Sequence, residues 1–313
     1  MVPQRSACIC DALYKRPCTV LNPINFRPQL VGPANIVSFN PQALLYSPYY
    51  LSRLYVQQAF SNVEQIGHGS FGVVYAATSR ADGRQYAIKE SRNVYGSLDD
   101  RKRMLHEVQI HKSLPPHKNV VNFVMAWEEC DRLYIQIELC RPQSLADMRQ
   151  CATCVTESAV LKWTKDMASA LVHLHKHDII HLDVKPDNMF IGADGYCKLG
   201  DFGSARKLAD DTEKEPKFYD GDGRYLAPEL LKDPPTKAAD VYSLGMSMLE
   251  LASGVDFASP RFNCREDDRN AALAGMNDGL LKRLFQYMTN AAPKARPCAS
   301  FVLDIIFWVE FIL

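Results

Sequence analysis

The sequence predicts an α+β fold in two lobes, a small β-rich lobe with one key helix and a larger helical lobe after it. Three observations predict it. The 313 residues exceed a typical domain of roughly 100 to 200 residues. From Ser61 the apolar and β-branched residues run at strand-like spacing, broken by a hairpin signal. After Arg141 they recur at spacings of three and four, which is the period of an amphipathic helix.

Taken in order, Val63 to Ile66 and Val73 to Thr78 read as strands, followed by a turn at Ala81-Asp82-Gly83-Arg84 and a strand from Gln85 to Glu90. Asp-Gly between β-rich runs marks a hairpin, because Gly accepts positive φ and Asp can bond its own turn. Ser97-Leu-Asp-Asp100 is a capping box that opens a helix through about Ser113, and Leu133 to Leu139 reads as a buried strand. In the second lobe Thr156 caps a helix whose Val160, Trp163, Met167, Leu171 and Leu174 form one apolar face. A second face runs Val241, Leu244, Met248, Leu251 and Ala252. Ligands favour the cleft between two such lobes.

Composition excludes several classes. With 47% apolar and 23% charged residues the chain is no disordered polyelectrolyte, and zero net charge gives no global argument for nucleic acid or a bilayer surface. The zero is a cancellation. Residues 1–59 carry five basic side chains against one acidic and seven of the 18 prolines, and the remainder carries 31 against 35. The expectation is a mobile, basic, proline-rich extension over 1–59, serving either as a solvated leader or as a docking or localisation arm. Ten cysteines in a chain of this length, with no apolar signal core from Met1 to Tyr14, read as reduced thiols of the cytosol or nucleus. Cys8/Cys10 and Cys151/Cys154 each lack the second pair that a zinc site needs. His173, His175, His177 and His181 crowd one segment, but the first three fall at a helix end and the fourth opens a loop, so His181 is read as packing behind Phe202.

The string Gly67-His-Gly69-Ser-Phe-Gly72-Val-Val74 is weak alone, because it also marks dinucleotide folds. Here β-type residues follow it, and instead of an acidic residue about 20 positions on a lysine arrives: Lys89, in Tyr-Ala-Ile-Lys. A buried ammonium needs a counter-charge, and Glu107 on the following helix supplies it, holding Lys89 for phosphates. In isolation each would be read as a surface lysine and a solvated helix glutamate. His181-Leu-Asp183-Val-Lys185-Pro-Asp-Asn188, Asp201-Phe-Gly203 and Ala227-Pro-Glu229 complete the pattern. Phosphoryl transfer needs a carboxylate to orient the attacking hydroxyl, hard oxygen ligands for Mg²⁺ and a cation for developing charge. Asp183 suits the first role, Asn188 and Asp201 the second, and Lys185 the third.

With these blocks in order the chain resembles the eukaryotic protein kinases over about residues 60–309. The resemblance implies a bilobal protein kinase fold, with an N-lobe of about 60–140, a C-lobe of about 141–309 and a short apolar tail over 310–313. It implies ATP contacts from Gly67, His68, Gly69, Ser70, Phe71, Gly72, Val74, Ala87, Lys89 and Glu107, with Ile137 as gatekeeper and Glu138 to Cys140 as the hinge that bonds adenine. Asp183 and Lys185 become catalytic, and Asn188 and Asp201 the Mg²⁺ ligands. Asp240 is implied to anchor the catalytic loop, and Glu229 to pair with Arg296. Where most regulated kinases place Arg before the catalytic Asp, this chain has Leu182. An uncharged side chain cannot hold a phosphate, so phosphorylation of Thr212, Tyr219 or a neighbour is not expected to be required.

The wording of Leu199-Gly-Asp-Phe-Gly203, Gly221-Asp-Gly-Arg-Tyr-Leu-Ala-Pro-Glu-Leu-Leu231, Ala126-Trp-Glu-Glu and Gln136-Ile-Glu-Leu-Cys140 is similar to the Wee/Myt family, nearest its membrane-associated, tyrosine- and threonine-specific branch. What that implies is phosphorylation of Thr and/or Tyr of a mitotic cyclin-dependent kinase, bound to its cyclin, restraining the onset of mitosis or meiosis. Lys185 is the serine/threonine pattern, so tyrosine transfer rests on the family alone. The chain is expected to be monomeric, cytoplasmic or nuclear, without nucleic acid. Phe301 to Leu313 are apolar at 11 of 13 positions, short of the roughly 20 residues that span a bilayer. That stretch reads as a last helix plus tail, with an interfacial anchor to endomembranes or the start of a tether as the alternative. A serine/threonine kinase with unrelated substrates and a catalytically silent scaffold remain the competing functions.

Overall fold

The computed structural model describes residues 29–32, 35–37, 54–69, 71–92, 98–129, 132–149, 155–208, 222–258 and 265–312. The chain divides into two compact units, residues 1–112 with 123–139, and 113–122 with 140–313. Ser97 of the capping box, Cys8, Cys10, Cys151, Cys154, Thr212, Tyr219 and Gly221 lie outside the described residues.

The first unit is built on an antiparallel sheet of β1 (Gln29–Gly32), β2 (Asn35–Val37), β3 (Phe60–His68), β4 (Gly72–Ser79), β5 (Gln85–Ser91), β6 (Phe123–Glu129) and β7 (Arg132–Glu138). The strand order is β2-β1-β6-β7-β5-β4-β3. The Asp82-Gly83 hairpin forms as expected: Gly83 takes φ 70°, and Asp82 accepts from the Arg84 amide at 3.1 Å and the Tyr86 hydroxyl at 2.7 Å. Helix α2 (Leu98–Ser113) lays Leu105 and Val108 against Ala126, Leu133 and Ile135.

Within the extension 1–59, expected to be mobile and without long elements, the structure describes two short segments that pack on the sheet. β1 pairs with β6, placing Leu30 opposite Trp127, and helix α1 (Tyr55–Ala59) packs Tyr55, Val56 and Ala59 around Phe60, Ile88, Trp127 and Tyr134. The cause is the apolar face of the sheet. Trp127 stacks on Tyr134 at 5.2 Å, and such a face is covered by whatever apolar segment lies at hand, here the aromatic-rich end of the extension. Glu129 fixes α1 by accepting from the Tyr55 amide at 2.9 Å, where an anion meets a helix N-terminus.

The second unit is helical: α3 (Leu145–Arg149), α4 (Glu157–Lys176), α5 (Lys237–Ser253), α6 (Arg265–Gly275), α7 (Leu280–Met288) and α8 (Ala299–Ile312). Thr156 caps α4 by accepting from the Ala159 amide, and Val160, Trp163, Met167, Leu171 and Leu174 are buried as one face. α5 buries nearly its whole length and ends at Gly254, whose φ of 70° lets the chain turn out of the helix. Short pairs β8 (Ile179–Ile180) with β11 (Arg206–Lys207) and β9 (Met189–Ile191) with β10 (Cys197–Leu199) frame the loop after α4. Residues 310–312 of the apolar tail expected over 310–313 continue α8, since nothing in Val309-Glu-Phe-Ile312 breaks a helix. Phe301, Phe307 and Trp308 of α8 are exposed, and among the described residues no helix is long and apolar enough to cross a membrane.

Candidate active site

In the first unit the glycine string forms the tip of the β3–β4 hairpin, with Gly67 and His68 ending β3 and Gly72 and Val74 opening β4. The Gly69 amide bonds the Gly72 carbonyl at 2.9 Å, and the tip is tied down by Arg92, which donates to the Gly69 carbonyl at 2.8 Å. A Cβ on Gly72 would stand 1.9 Å from the Glu90 carbonyl, so only glycine lets β4 approach β5 this closely. Ser70 lies outside the described residues.

Val74 pairs with Lys89, and Ala87 with Ile137, which places these four on neighbouring rungs of β4, β5 and β7. Lys89 Nζ meets Glu107 Oε1 at 2.7 Å, with both residues buried. The Phe71 ring lies 4.6 Å from the same ammonium. A lysine held this way presents its ammonium at a fixed point. Glu138 ends β7; Cys140, where the chain returns to the second unit, is a reduced thiol, as are Cys197 and Cys298.

In the second unit the residues from His181 to Asn188 form one hydrogen-bonded loop. Asp240, fully buried on α5, accepts from the His181 amide (2.9 Å) and the Leu182 amide (2.9 Å), and pairs with His175 Nε2 (2.9 Å). Burial alone would raise the Asp240 carboxyl; the hydrogen bond and charge of His175, with His181, outweigh it and hold the group below the usual carboxylate range. The anchor offsets strain at Leu182, whose φ of 62° lies in a region that costs a non-glycine residue about 1–3 kcal/mol; Asp201 takes a similar φ of 61°. His181 packs edge-on against Phe202 at 5.2 Å. Glu229 receives two bonds from Arg296, at 2.6 and 2.7 Å.

The loop brings Asp183, Lys185 and Asn188 together. Asp183 Oδ2 receives Lys185 Nζ and Asn188 Nδ2, each at 2.9 Å, and Asn188 Nδ2 also donates to the Asp183 carbonyl at 2.8 Å. With its nitrogen committed to Asp183, Asn188 offers an amide oxygen to a cation. Asp201 offers a carboxylate, and this pair of hard oxygen donors fits Mg²⁺.

Two contributors have roles that the sequence does not assign. His175 bonds Asp240, and the Asp222 amide donates to Asp183 Oδ1 at 3.2 Å from 39 residues away. For His175 the signal was its place one helical turn after Leu171 at the end of α4. For Asp222 the donor is a backbone amide, which leaves no side-chain signal in the sequence.

A glycine-tipped hairpin with a buried lysine in one unit, and a carboxylate, lysine and hard oxygen donors on one loop in the other, define a class of ATP-dependent phosphotransferases. The model of the protein kinase domain matches residues 60–305, and the chain belongs to that family. It is 38% identical over 281 residues to the membrane-associated tyrosine- and threonine-specific cdc2-inhibitory kinase of Caenorhabditis briggsae, covering 87% of this chain and 41% of that protein. The Drosophila melanogaster protein of the same description is 39% identical over 212 residues, 67% of this chain and 39% of its own length. A Wee1-like protein kinase of Arabidopsis thaliana is 36% identical over 251 residues, 78% and 49% respectively. The chain thus spans less than half the length of each of these relatives.

Proposed function

We propose that this chain transfers the γ-phosphate of ATP to Thr and/or Tyr of a mitotic cyclin-dependent kinase bound to its cyclin, and so restrains the onset of mitosis or meiosis. The observation that carries the chemistry is the intact Asp183–Lys185–Asn188 constellation, held at 2.9 Å spacings on an anchored loop. The relatives' names, which pair inhibition of cdc2 with tyrosine and threonine specificity, support the substrate.

In this reading the backbone of Gly67 to Gly72 approaches the phosphates, and Lys89, positioned by Glu107, binds their oxygens. Ala87, Ile137, Glu138 and Cys140 border the adenine. Mg²⁺, carried by Asn188 and Asp201, supplies charge neutralisation on the phosphates when bound. Asp183 orients the substrate hydroxyl and takes its proton as the oxygen attacks the γ-phosphorus and the bond to ADP breaks. Lys185, beside Asp183, balances charge that develops on the transferred group. The chain acts as a monomer, and exposed Phe301, Phe307 and Trp308 on α8 offer a peripheral contact to endomembranes.

The test compares wild-type chain with Asp183→Asn on a cyclin-bound, catalytically inactive cyclin-dependent kinase with Mg-ATP. Transfer by wild type and a loss of about 10²- to 10⁴-fold in the variant is expected. Equal background from both proteins would leave the scaffold reading in its place.

A further inference from the structure

We propose that Asp222 and Arg224 are positioning residues for phosphoryl transfer: together they press the Asp222 amide onto the carboxylate of Asp183, through a clasp fixed on buried Glu250. The proposal rests on the kinase reading above and gives a role to two residues of the Gly221–Leu231 string to which the sequence assigned none. Asp183 Oδ2 is held from within its own loop by Lys185 and Asn188. The described hydrogen bond on Oδ1 comes from the Asp222 amide at 3.2 Å. A carboxylate turns about its Cβ–Cγ bond, and donors on both oxygens fix that rotation for the incoming hydroxyl.

A backbone amide can serve as a fixed donor only where its own segment is fixed. Arg224 closes a fork on the Asp222 side chain, Nε to Oδ1 at 3.0 Å and Nη2 to Oδ2 at 2.6 Å, while the Arg224 amide bonds the same Oδ1 at 3.0 Å. Burial acts to raise the Asp222 carboxyl, but the Arg224 hydrogen bonds outweigh it and keep the group ionised below the usual range. The guanidinium lies 5.2 Å from the Tyr225 ring, whose hydroxyl donates to Glu250 Oε2 at 2.6 Å. Glu250, 1% exposed on α5, also accepts from the Phe257 amide at 3.0 Å and from Arg149. A continuous path therefore links the buried face of α5 to the catalytic oxygen.

The clasp fixes the Asp222 amide locally and is not needed to hold the lobe together, because Glu229 and Arg296 already tie down the stretch that follows. Partly exposed pairs such as Asp222–Arg224, with side chains 20% and 33% exposed, add little to stability. Loss of the clasp is thus expected to lower the rate of transfer and to spare both the fold and nucleotide binding.

The experiment uses the full chain and its Arg224→Lys and Asp222→Asn variants, with a catalytically inactive cyclin-dependent kinase–cyclin complex as acceptor. It reads kcat, KM for ATP and the thermal midpoint. Both variants should lose about 10- to 100-fold in kcat, with KM for ATP within about twofold and midpoints within about 2 °C of wild type. Active wild type with unchanged kcat in both variants overturns the positioning role alone. A kcat that falls only in step with the midpoint reduces the clasp to a structural part and overturns it as well. Wild type that transfers no phosphate overturns the kinase reading and this proposal together.

Discussion

Replacing Glu107 by Gln leaves the Lys89 ammonium buried and without the carboxylate that meets it at 2.7 Å. Lys89 is 8% and Glu107 4% exposed, so water cannot substitute for the lost charge. Breaking a buried pair from one side costs about 3–5 kcal/mol, a large part of the roughly 5–15 kcal/mol that keeps a domain folded. At a few degrees per kcal/mol the thermal midpoint should fall by about 10 °C. Function is lost by a second route. An ammonium no longer held for phosphate forfeits a charge-assisted bond of about 1.5–3 kcal/mol, or about 10- to 100-fold in kcat/KM for ATP. The double variant Lys89→Met, Glu107→Leu separates the two effects, because apolar residues of similar volume in place of a buried pair are often neutral or stabilising. Thermal unfolding followed by scanning calorimetry, together with ATP-dependent transfer, reads both. The double variant should regain most of the midpoint and none of the activity. A Glu107→Gln protein with the wild-type midpoint and kcat/KM would show that the pair does not carry this stability, as would a double variant no more stable than the single one.

Three further predictions concern separate parts of the chain. Gly72→Ala should destabilise by about 3 kcal/mol through overpacking, because its Cβ meets the Glu90 carbonyl, whereas Gly69→Ala, with nothing within 4 Å, should leave the midpoint unchanged; parallel melts decide. Chain treated with phosphatase should retain its activity, since buried Leu182 stands where a phosphate-binding cation would be needed; complete loss after treatment would contradict this. His117 is pushed down to about 4 by burial, then by stacked His173 and the charges of Lys118 and Lys198. Between about 6.5 and about 4 the unfolded chain then binds a proton that the folded one does not, so this group makes stability fall as pH falls through that window. Denaturant titrations across the window should show a shallower dependence for His117→Gln than for wild type.

Much of the candidate site is legible in the sequence because its signals are local. Asp82-Gly83 announces a turn through its own φ preference, Thr156 caps its own helix, and the blocks from Gly67 to Glu229 carry their chemistry in spacing. Glu107 could be paired with Lys89 because a buried ammonium needs an anion and the helix offers one at the right distance along the chain. What escaped notice depends on contacts between distant segments. The pairing of Gln29–Gly32 with β6 and the packing of Tyr55 under Trp127 arise from an apolar sheet face that seeks cover, and the proline-rich wording of the extension gives no local trace of either. The Asp222 amide is a backbone donor, so no side-chain pattern marks its bond to Asp183.

The most direct measurement incubates the purified chain and Mg-ATP with a catalytically inactive cyclin-dependent kinase–cyclin complex and maps the phosphorylated residues by mass spectrometry. Phosphate is expected on the adjacent Thr and/or Tyr of that target's own glycine-rich loop, and is absent when Asp183→Asn is used. Phosphate only on unrelated serine or threonine sites, or none above the background of that variant, would contradict it.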